Sequence, residues 1–180
     1  MRIGIDFGGT KIEAAALDDS GAFAARIRQP NPGTYDAALA LVADLVARVE
    51  AEAGPARSVG LAIPGSPSPR TGLIRNANSV YLNGRRFGED LERALGRPVR
   101  LANDANCLAL SEAADGAGAG AAGLFGVILG TGCGGGLVLD GRLVEGAHGV
   151  AAEIGHVSLP WPSVEEAPGP ACWCGLHGFL

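Results

Sequence analysis

The sequence contains no block of basic residues. Its 14 lysines and arginines are outnumbered by 19 acidic residues, for a net charge of −5, so no nucleic-acid partner is expected. A secretory leader is not expected, because Asp6 interrupts the apolar run of the opening MRIGIDFGGT. The four cysteines, at 107, 133, 172 and 174, do not form the kind of framework that staples small secreted domains, so disulfides are not expected. Neither GxxxxGKS/T nor GxGxxG occurs, which excludes a P-loop and a dinucleotide-binding fingerprint. The 29 glycines follow no fixed short period, which excludes collagen and solenoids.

One stretch demands a membrane check. No charge falls between Gly116 and Leu139, long enough to cross a bilayer. Ten of those positions are glycine and a GTG turn divides the run, so it reads as two buried strands joined by a glycine loop. The expectation is a soluble, cytoplasmic protein with no membrane partner.

What is present is a chain of 180 residues, 47% hydrophobic, enough for one full domain and part of another. Arg2 to Phe7, Ile12 to Leu17 and Ala22 to Ile27 read as a three-stranded meander. Thr34 can cap a helix over residues 35–53, with Leu39, Val42, Val46 and Val49 on one face and Gly54-Pro55 as its stop. A strand at 59–63, a helix at 87–95, a strand at 99–102 and a helix from about 104 to 114 follow. The order βββαβαβα predicts an α/β domain with a mixed sheet over residues 1–118. The small-residue run 117–123 reads as a linker. Residues 119–180 read as the start of a second domain, with strands at 124–129 and 137–139 and a hairpin turn at Asp140-Gly141.

An internal echo connects the two parts. IGIDFGGTKIEAAALDDSG and FGVILGTGCGGGLVLDG share one plan of apolar strand, Gly-Thr turn, apolar strand and Asp/Gly turn. This suggests two related halves facing each other across a cleft. In the first hairpin, Gly8 and Gly9 let backbone N–H groups approach an anion, Thr10 adds a hydroxyl and Lys11 a positive charge. Asp6 sits where it can hold Mg²⁺ through water. A plain hairpin turn accounts for the same residues. In the second, Gly130, Thr131 and Gly132 repeat the pattern, and a glycine hairpin needing positive φ is the alternative.

Other polar clusters carry more than one reading. Asp104, in LANDAN, is an N-cap or a general base aligned on an alcohol, kept ionised by the helix N-terminus. The amides of NANSVYLNG suit sugar hydroxyls or an ordinary turn. Glu153 and His156, three apart, share one face if the segment is helical; the readings are that together they clamp two hydroxyls, that His156 ligates a metal, or that they form a surface pair. Cys172-x-Cys174 is a weak zinc signal that His156 strengthens, with His177 as a poor fourth ligand.

Taken in order, DFGGTK, IPGSPSP, NANS, LANDANCLALSEA, GTGCGGG, AEIGH and CWCGLHG resemble the ROK family of bacterial sugar kinases. NANSVYLNG and the LPW before the cysteines are similar to its fructokinase (mannofructokinase) branch. The resemblance implies the actin/hexokinase-type, ribonuclease H-like ATPase fold and transfer of the ATP γ-phosphate to the 6-hydroxyl of fructose or a related hexose. It implies Asp104 as catalytic base, and Gly65, Asn78, Asn103, Glu153 and His156 as sugar contacts. Asp6, Gly8, Gly9, Thr10, Lys11, Gly130, Thr131 and Gly132 would serve MgATP. Zinc would be held by His156, Cys172 and Cys174, with Phe179 where the family has a further cysteine. A homodimer is in keeping with it. The family's second domain is longer, so the chain is read as C-terminally truncated, with little kinase activity by itself. A non-catalytic sugar-binding remnant is the alternative. A repressor of the same family is set aside, because no segment for a helix-turn-helix precedes Asp6.

Overall fold

Alternation sets the first strands. In Arg2–Phe7 (β1) the apolar Ile3, Ile5 and Phe7 are buried and the residues between them are exposed, the period of a sheet with one covered face. The computed structural model describes residues 1–130, 132–172 and 174–179. They form two compact units, Met1–Asp104 and Ala105–Leu180, and the boundary expected at 118 lies inside the second.

In the first unit, β1 is followed by Lys11–Leu17 (β2) and Phe23–Pro30 (β3), helix α1 (Tyr35–Ala53), β4 (Val59–Ile63), the two-residue strands β5 (Ser66–Pro67) and β6 (Ile74–Arg75), a 3₁₀ turn at Val80–Leu82, α2 (Phe87–Leu95) and β7 (Val99–Asn103). The main sheet runs β3-β2-β1-β4-β7. The β1–β2 and β2–β3 pairs are antiparallel, and β1, β4 and β7 are parallel. The expected order and mixed sheet are therefore present. The β5–β6 hairpin, Ser66 opposite Arg75, is an addition. The predicted loop hides it because two-residue strands show no periodicity.

Helix α1 covers the sheet with Val42, Leu45, Val46 and Val49, all fully buried, each contributing roughly 1.5–3 kcal/mol of burial. Phe87 of α2 closes the core by edge-on contacts to Phe7 and Tyr35, with ring centroids 5.4 and 5.7 Å away. One expectation fails at the start of α1. Thr34 occupies the N-cap position, but its side chain makes no capping bond; its backbone carbonyl accepts from the Ala38 N–H at 3.0 Å instead.

Helix α3 (Asp104–Ala114) begins at the last residue of the first unit and continues into the second. It is followed by β8 (Gly123–Leu129), β9 (Cys133–Leu139) and β10 (Arg142–Leu143), an antiparallel sheet in the order β10-β9-β8. This repeats the β3-β2-β1 meander, so the internal echo is a real repetition of topology. Two expectations are corrected here. The glycines at 134–136 are strand residues rather than a loop, and none of them has positive φ. Their smallness serves close packing. A Cβ at Gly136 would stand 2.5 Å from the Ala105 carbonyl oxygen, one at Gly126 3.3 Å from Ala109, and one at Gly135 2.4 Å from the Ala152 carbonyl oxygen. The run 117–123 is likewise a packed turn up to β8: Ala117 donates to the Glu112 carboxylate at 2.7 Å and Gly118 to the Glu112 carbonyl at 3.0 Å. Among the described residues no helix is long and apolar enough to cross a membrane.

Candidate functional site

Parallel strands deliver their loops to one end of a sheet, and ligands of open α/β sheets bind at the carboxyl ends of such strands. In the first unit, β1, β4 and β7 run into Gly8–Lys11, Pro64-Gly65 and Asn103-Asp104 respectively. Thus Gly8, Gly9, Thr10, Lys11, Gly65, Asn103 and Asp104 gather at strand ends without any reference to function.

In the first glycine turn Phe7 pairs with Ile12. The Gly8 N–H donates to the Lys11 carbonyl at 2.9 Å, and a Cβ at Gly8 would touch that same oxygen at 2.9 Å. The Gly8 amide is therefore used inside the turn, contrary to its expected role as an anion donor, and Gly9 and Thr10 carry the turn's other amides. Asp6 lies opposite Glu13 on β2. Its carboxyl is raised above the ordinary aspartate value, first by desolvation on the sheet and then by the Glu13 charge, with Lys11 and Arg28 opposing. A cation beside Asp6 would relieve that cost, so Asp6 fits a magnesium-facing role. Glu13 has its own cations. Burial works against its charge, but hydrogen bonds from Arg26 and Arg28 prevail and hold it below the usual carboxylate range.

Around β4 and β7 the geometry is tight. Gly65 has φ +79°, and a Cβ there would lie 2.4 Å from the Arg75 carbonyl oxygen and 2.7 Å from the Ala77 nitrogen. Asn103, 8% exposed, donates through Nδ2 to the Gly65 carbonyl and to Asp104 Oδ1, both at 3.1 Å. Asn103 thus aims the Asp104 carboxylate while fixing the Gly65 loop. Asn83 clamps Ala77 from both sides, with bonds of 2.9 Å to its N–H and from Nδ2 to its carbonyl. Asn78 differs. Its Oδ1 is buried with no hydrogen-bond partner among the described residues, and it lies 3.8 Å from the Cβ position of Gly9. A buried amide oxygen awaiting a donor suits a ligand hydroxyl.

Two residues that the sequence reading passed over complete this end of the unit. Asn31, just past β3, donates through Nδ2 to the Gly8 carbonyl at 2.8 Å and through its backbone N–H to the Thr10 carbonyl at 2.9 Å. Tyr81 donates its hydroxyl to Asn31 Oδ1 at 2.7 Å. The available signal was PNPG, an asparagine between two prolines that themselves offer no backbone donor.

In the second unit Gly130 donates to the Gly132 carbonyl at 2.9 Å, closing the second glycine turn between Leu129 and Cys133. Thr131 lies outside the described residues. Glu153 and His156 do not share a helix face: residues 151–157 are turns and irregular backbone, and Ala152 has φ 66°. Glu153 Oε1 approaches within 3.8 Å of the Cβ position of Gly134, and Gly155 packs so closely on Cys133 that a Cβ would meet its carbonyl oxygen at 1.8 Å. Lack of a side chain at Gly155 is what lets the AEIGH segment reach the turn.

His156, Cys172 and Cys174 converge, with ligand atoms all within 4.8 Å of one another and His156 Nε2 3.5 Å from Cys172 Sγ. Tetrahedral zinc spaces such atoms roughly 3.5–3.8 Å apart, so the three residues fit that ion. His177 does not join them; its Nδ1 faces the Gly169 carbonyl at 3.3 Å. Phe179 instead lies against the His156 ring, centroids 5.0 Å apart.

With this geometry in hand, comparisons with known proteins agree in direction. A family model described as ROK family matches residues 2–180. The chain is 40% identical over 185 residues to an N-acetyl-D-glucosamine kinase of Pectobacterium atrosepticum, covering 100% of this chain and 61% of the relative. It is 41% identical over 181 residues to the N-acetylgalactosamine kinase AgaK of a Shewanella species, covering 99% and 58%. It superposes on a ROK family glucokinase from Streptomyces griseus, solved with glucose and AMPPNP, with a TM-score of 0.87 at 31% identity, covering 99% of this chain and 55% of that one. The chain therefore spans 58–61% of the length of these curated relatives. The expected actin/hexokinase-type fold is that of the glucokinase. The fructokinase branch receives no support from these relatives. Matched from end to end and folded alike, the chain belongs to the ROK family.

Proposed function

We propose that this chain carries the catalytic aspartate and both phosphate turns of an ATP-dependent hexose kinase whose acceptor is an N-acetylhexosamine or glucose. The observation that carries the reading is the Asn103 bridge, which joins the Gly65 loop to Asp104 at the carboxyl end of β7. Asp104 accepts the proton of the attacking sugar hydroxyl. Phosphoryl transfer passes through a loose transition state, so alignment by an ionised carboxylate suffices. Asn103, Asn78 and Gly65 orient the sugar at the end of the first unit's sheet; for Glu153 and His156 as sugar contacts the support is the AEIGH motif. Gly9 and Thr10, with Lys11, meet the polyphosphate; for Gly130, Thr131 and Gly132 the matching sequence plan supports a second phosphate turn. Magnesium, bound through Asp6, would neutralise charge on the β- and γ-phosphates. Zinc on His156, Cys172 and Cys174 would fix the orientation of the AEIGH segment. The domain division near residue 118 belongs to the same reading. The amino-sugar and glucose preference comes from the named activities of the relatives; fructose, suggested by NANSVYLNG, is the comparison sugar.

A coupled assay with MgATP and N-acetylglucosamine, N-acetylgalactosamine, glucose and fructose tests the proposal. Turnover, however slow in this span of the protein, should vanish in Asp104→Asn. Calorimetry with sugar and AMPPNP completes the test. Sugar binding without nucleotide binding would favour a non-catalytic sugar-binding module, and absence of both would overturn the reading.

A further inference from the structure

Two loops of the first unit meet at a single side-chain amide. Asn31 Oδ1 accepts from the Tyr81 hydroxyl at 2.7 Å and from the Gly33 N–H at 3.0 Å, while Nδ2 donates to the Gly8 carbonyl at 2.8 Å. That pattern fixes the orientation of the amide, because a flipped group would turn its N–H on the Gly33 N–H and its oxygen on the Gly8 carbonyl. The Asn31 backbone N–H holds the Thr10 carbonyl at 2.9 Å. Asn31 thus grips the glycine turn at two of its four residues. Tyr81 sits in the 3₁₀ turn of the asparagine-rich segment, three residues from Asn78, whose buried oxygen lacks a partner, and its neighbour Leu82 is fully buried. The partners are 23 and 50 residues from Asn31 along the chain, so the link is made by tertiary structure alone.

We infer that Asn31 and Tyr81 are positioning residues which couple the acceptor loop to the first phosphate turn, so that a sugar ordered at Asn78 also orders the peptide groups of Gly8–Lys11 for the nucleotide. The inference rests on the proposed kinase reading and deepens it. Neither residue touches the reacting atoms. Their effect runs through carbonyls: the Gly8 and Thr10 oxygens are held from behind, and because each carbonyl shares a rigid peptide plane with the next residue's N–H, the amides of Gly9 and Lys11 keep one direction. Pro30 and Pro32 on either side of Asn31 restrict the backbone of the segment that carries the amide. The arrangement is preorganisation shared between two ligands, which appears as a mutual gain in affinity.

The test titrates the 180-residue chain with MgAMPPNP by calorimetry, with and without saturating N-acetylglucosamine, for the wild type, Tyr81→Phe and Asn31→Asp. Wild-type nucleotide affinity should rise about fivefold when sugar is present, the worth of one ordinary hydrogen bond. Tyr81→Phe keeps the ring and removes the hydroxyl; it should abolish that gain while leaving sugar affinity alone within about twofold. Asn31→Asp still accepts from Tyr81 and Gly33 but cannot donate to Gly8, and should lose the gain as well. Hydrogen exchange without ligand supplies a second readout: both variants should speed exchange at the amide of residue 31, which bonds the Thr10 carbonyl, and leave those of α1 unchanged. A purely structural role would lower stability and leave the sugar-dependent gain intact. If sugar and nucleotide bind but the gain is absent in the wild type or persists in the variants, the coupling is overturned and the kinase reading stands. If neither binds the wild type, both fall.

Discussion

The side chain of Asn103 spans from the end of β7 to the carbonyl oxygen of Gly65, 3.1 Å away, in the loop that leaves β4. The loop is locked from its other side by the backbone of Arg75 and Ala77. Gly65→Ala therefore combines a left-handed φ with a backbone collision. It should cost upwards of about 3 kcal/mol, seen as a lower urea midpoint. Retention of wild-type stability would mean that the β5–β6 hairpin yields to make room.

Glycines in strands are expected to respond in opposite ways according to what faces them. Gly4, in the middle of β1, has no atom within 4 Å of its Cβ position, whereas Gly136 faces the Ala105 carbonyl. Gly4→Ala should be neutral or stabilising by about 0.5–1 kcal/mol. Gly136→Ala should destabilise by about 1–3 kcal/mol, with hydrogen exchange accelerated across β8 and β9. Equal effects in thermal denaturation would contradict the packing described for the second unit.

Glu50 should contribute to acid sensitivity. Arg97 Nη1 donates to its carboxylate at 2.9 Å and the Ala56 N–H at 2.8 Å, and these two bonds, the arginine's first, hold Glu50 below the usual carboxylate range. A depressed carboxylate contributes stability that is fully present above its unfolded value, about 4.3, and is lost as pH falls through the lower folded value. Glu50→Gln should flatten the acid limb of a stability–pH curve below about pH 4.3 and change the shape of the curve little at pH 7. An unchanged acid limb would show that the pair does not set it.

The His156, Cys172 and Cys174 cluster makes a prediction about Phe179. If zinc binds these three ligands, one tetrahedral position is left to solvent, and Phe179 lies against the His156 ring. Phe179→Cys should tighten zinc binding at least about tenfold in competition with a chromophoric chelator. Cys172→Ser should weaken it by a similar factor. Cobalt substitution would show the added thiolate as a stronger charge-transfer band. No response to either change would remove zinc from the account of the AEIGH segment.

Much of this architecture was legible in residue patterns. The alternation of Ile3, Ile5 and Phe7 and the helical spacing of Val42, Val46 and Val49 are direct prints of a covered sheet and its covering helix. Asp104 could be placed at a strand–helix junction because LANDAN changes period there. Other features leave no local trace. The β5–β6 hairpin is too short to show a period, and Gly134 to Gly136 carry no strand propensity, so only contact with Ala105 and Ala152 explains them. The Glu153–His156 spacing suggested a helix, but close approach of Gly155 to Cys133 requires turns. The Asn31 amide gains its meaning only from a tyrosine fifty positions away.

The seam between α3 and its sheet has a consequence for thickness. Ala105 and Ala109 on the helix meet Gly126, Gly134 and Gly136 on the strands, methyl groups against bare backbone. An ordinary helix-on-sheet layer keeps its distance with leucines and valines; here the two backbones set the spacing themselves. Such a layer has no side chains to repack and so cannot absorb an added methyl by exchanging rotamers. The abundance of glycine along these strands is therefore a mark of close packing, a spacing of helix and sheet set by backbone contact, rather than of looseness.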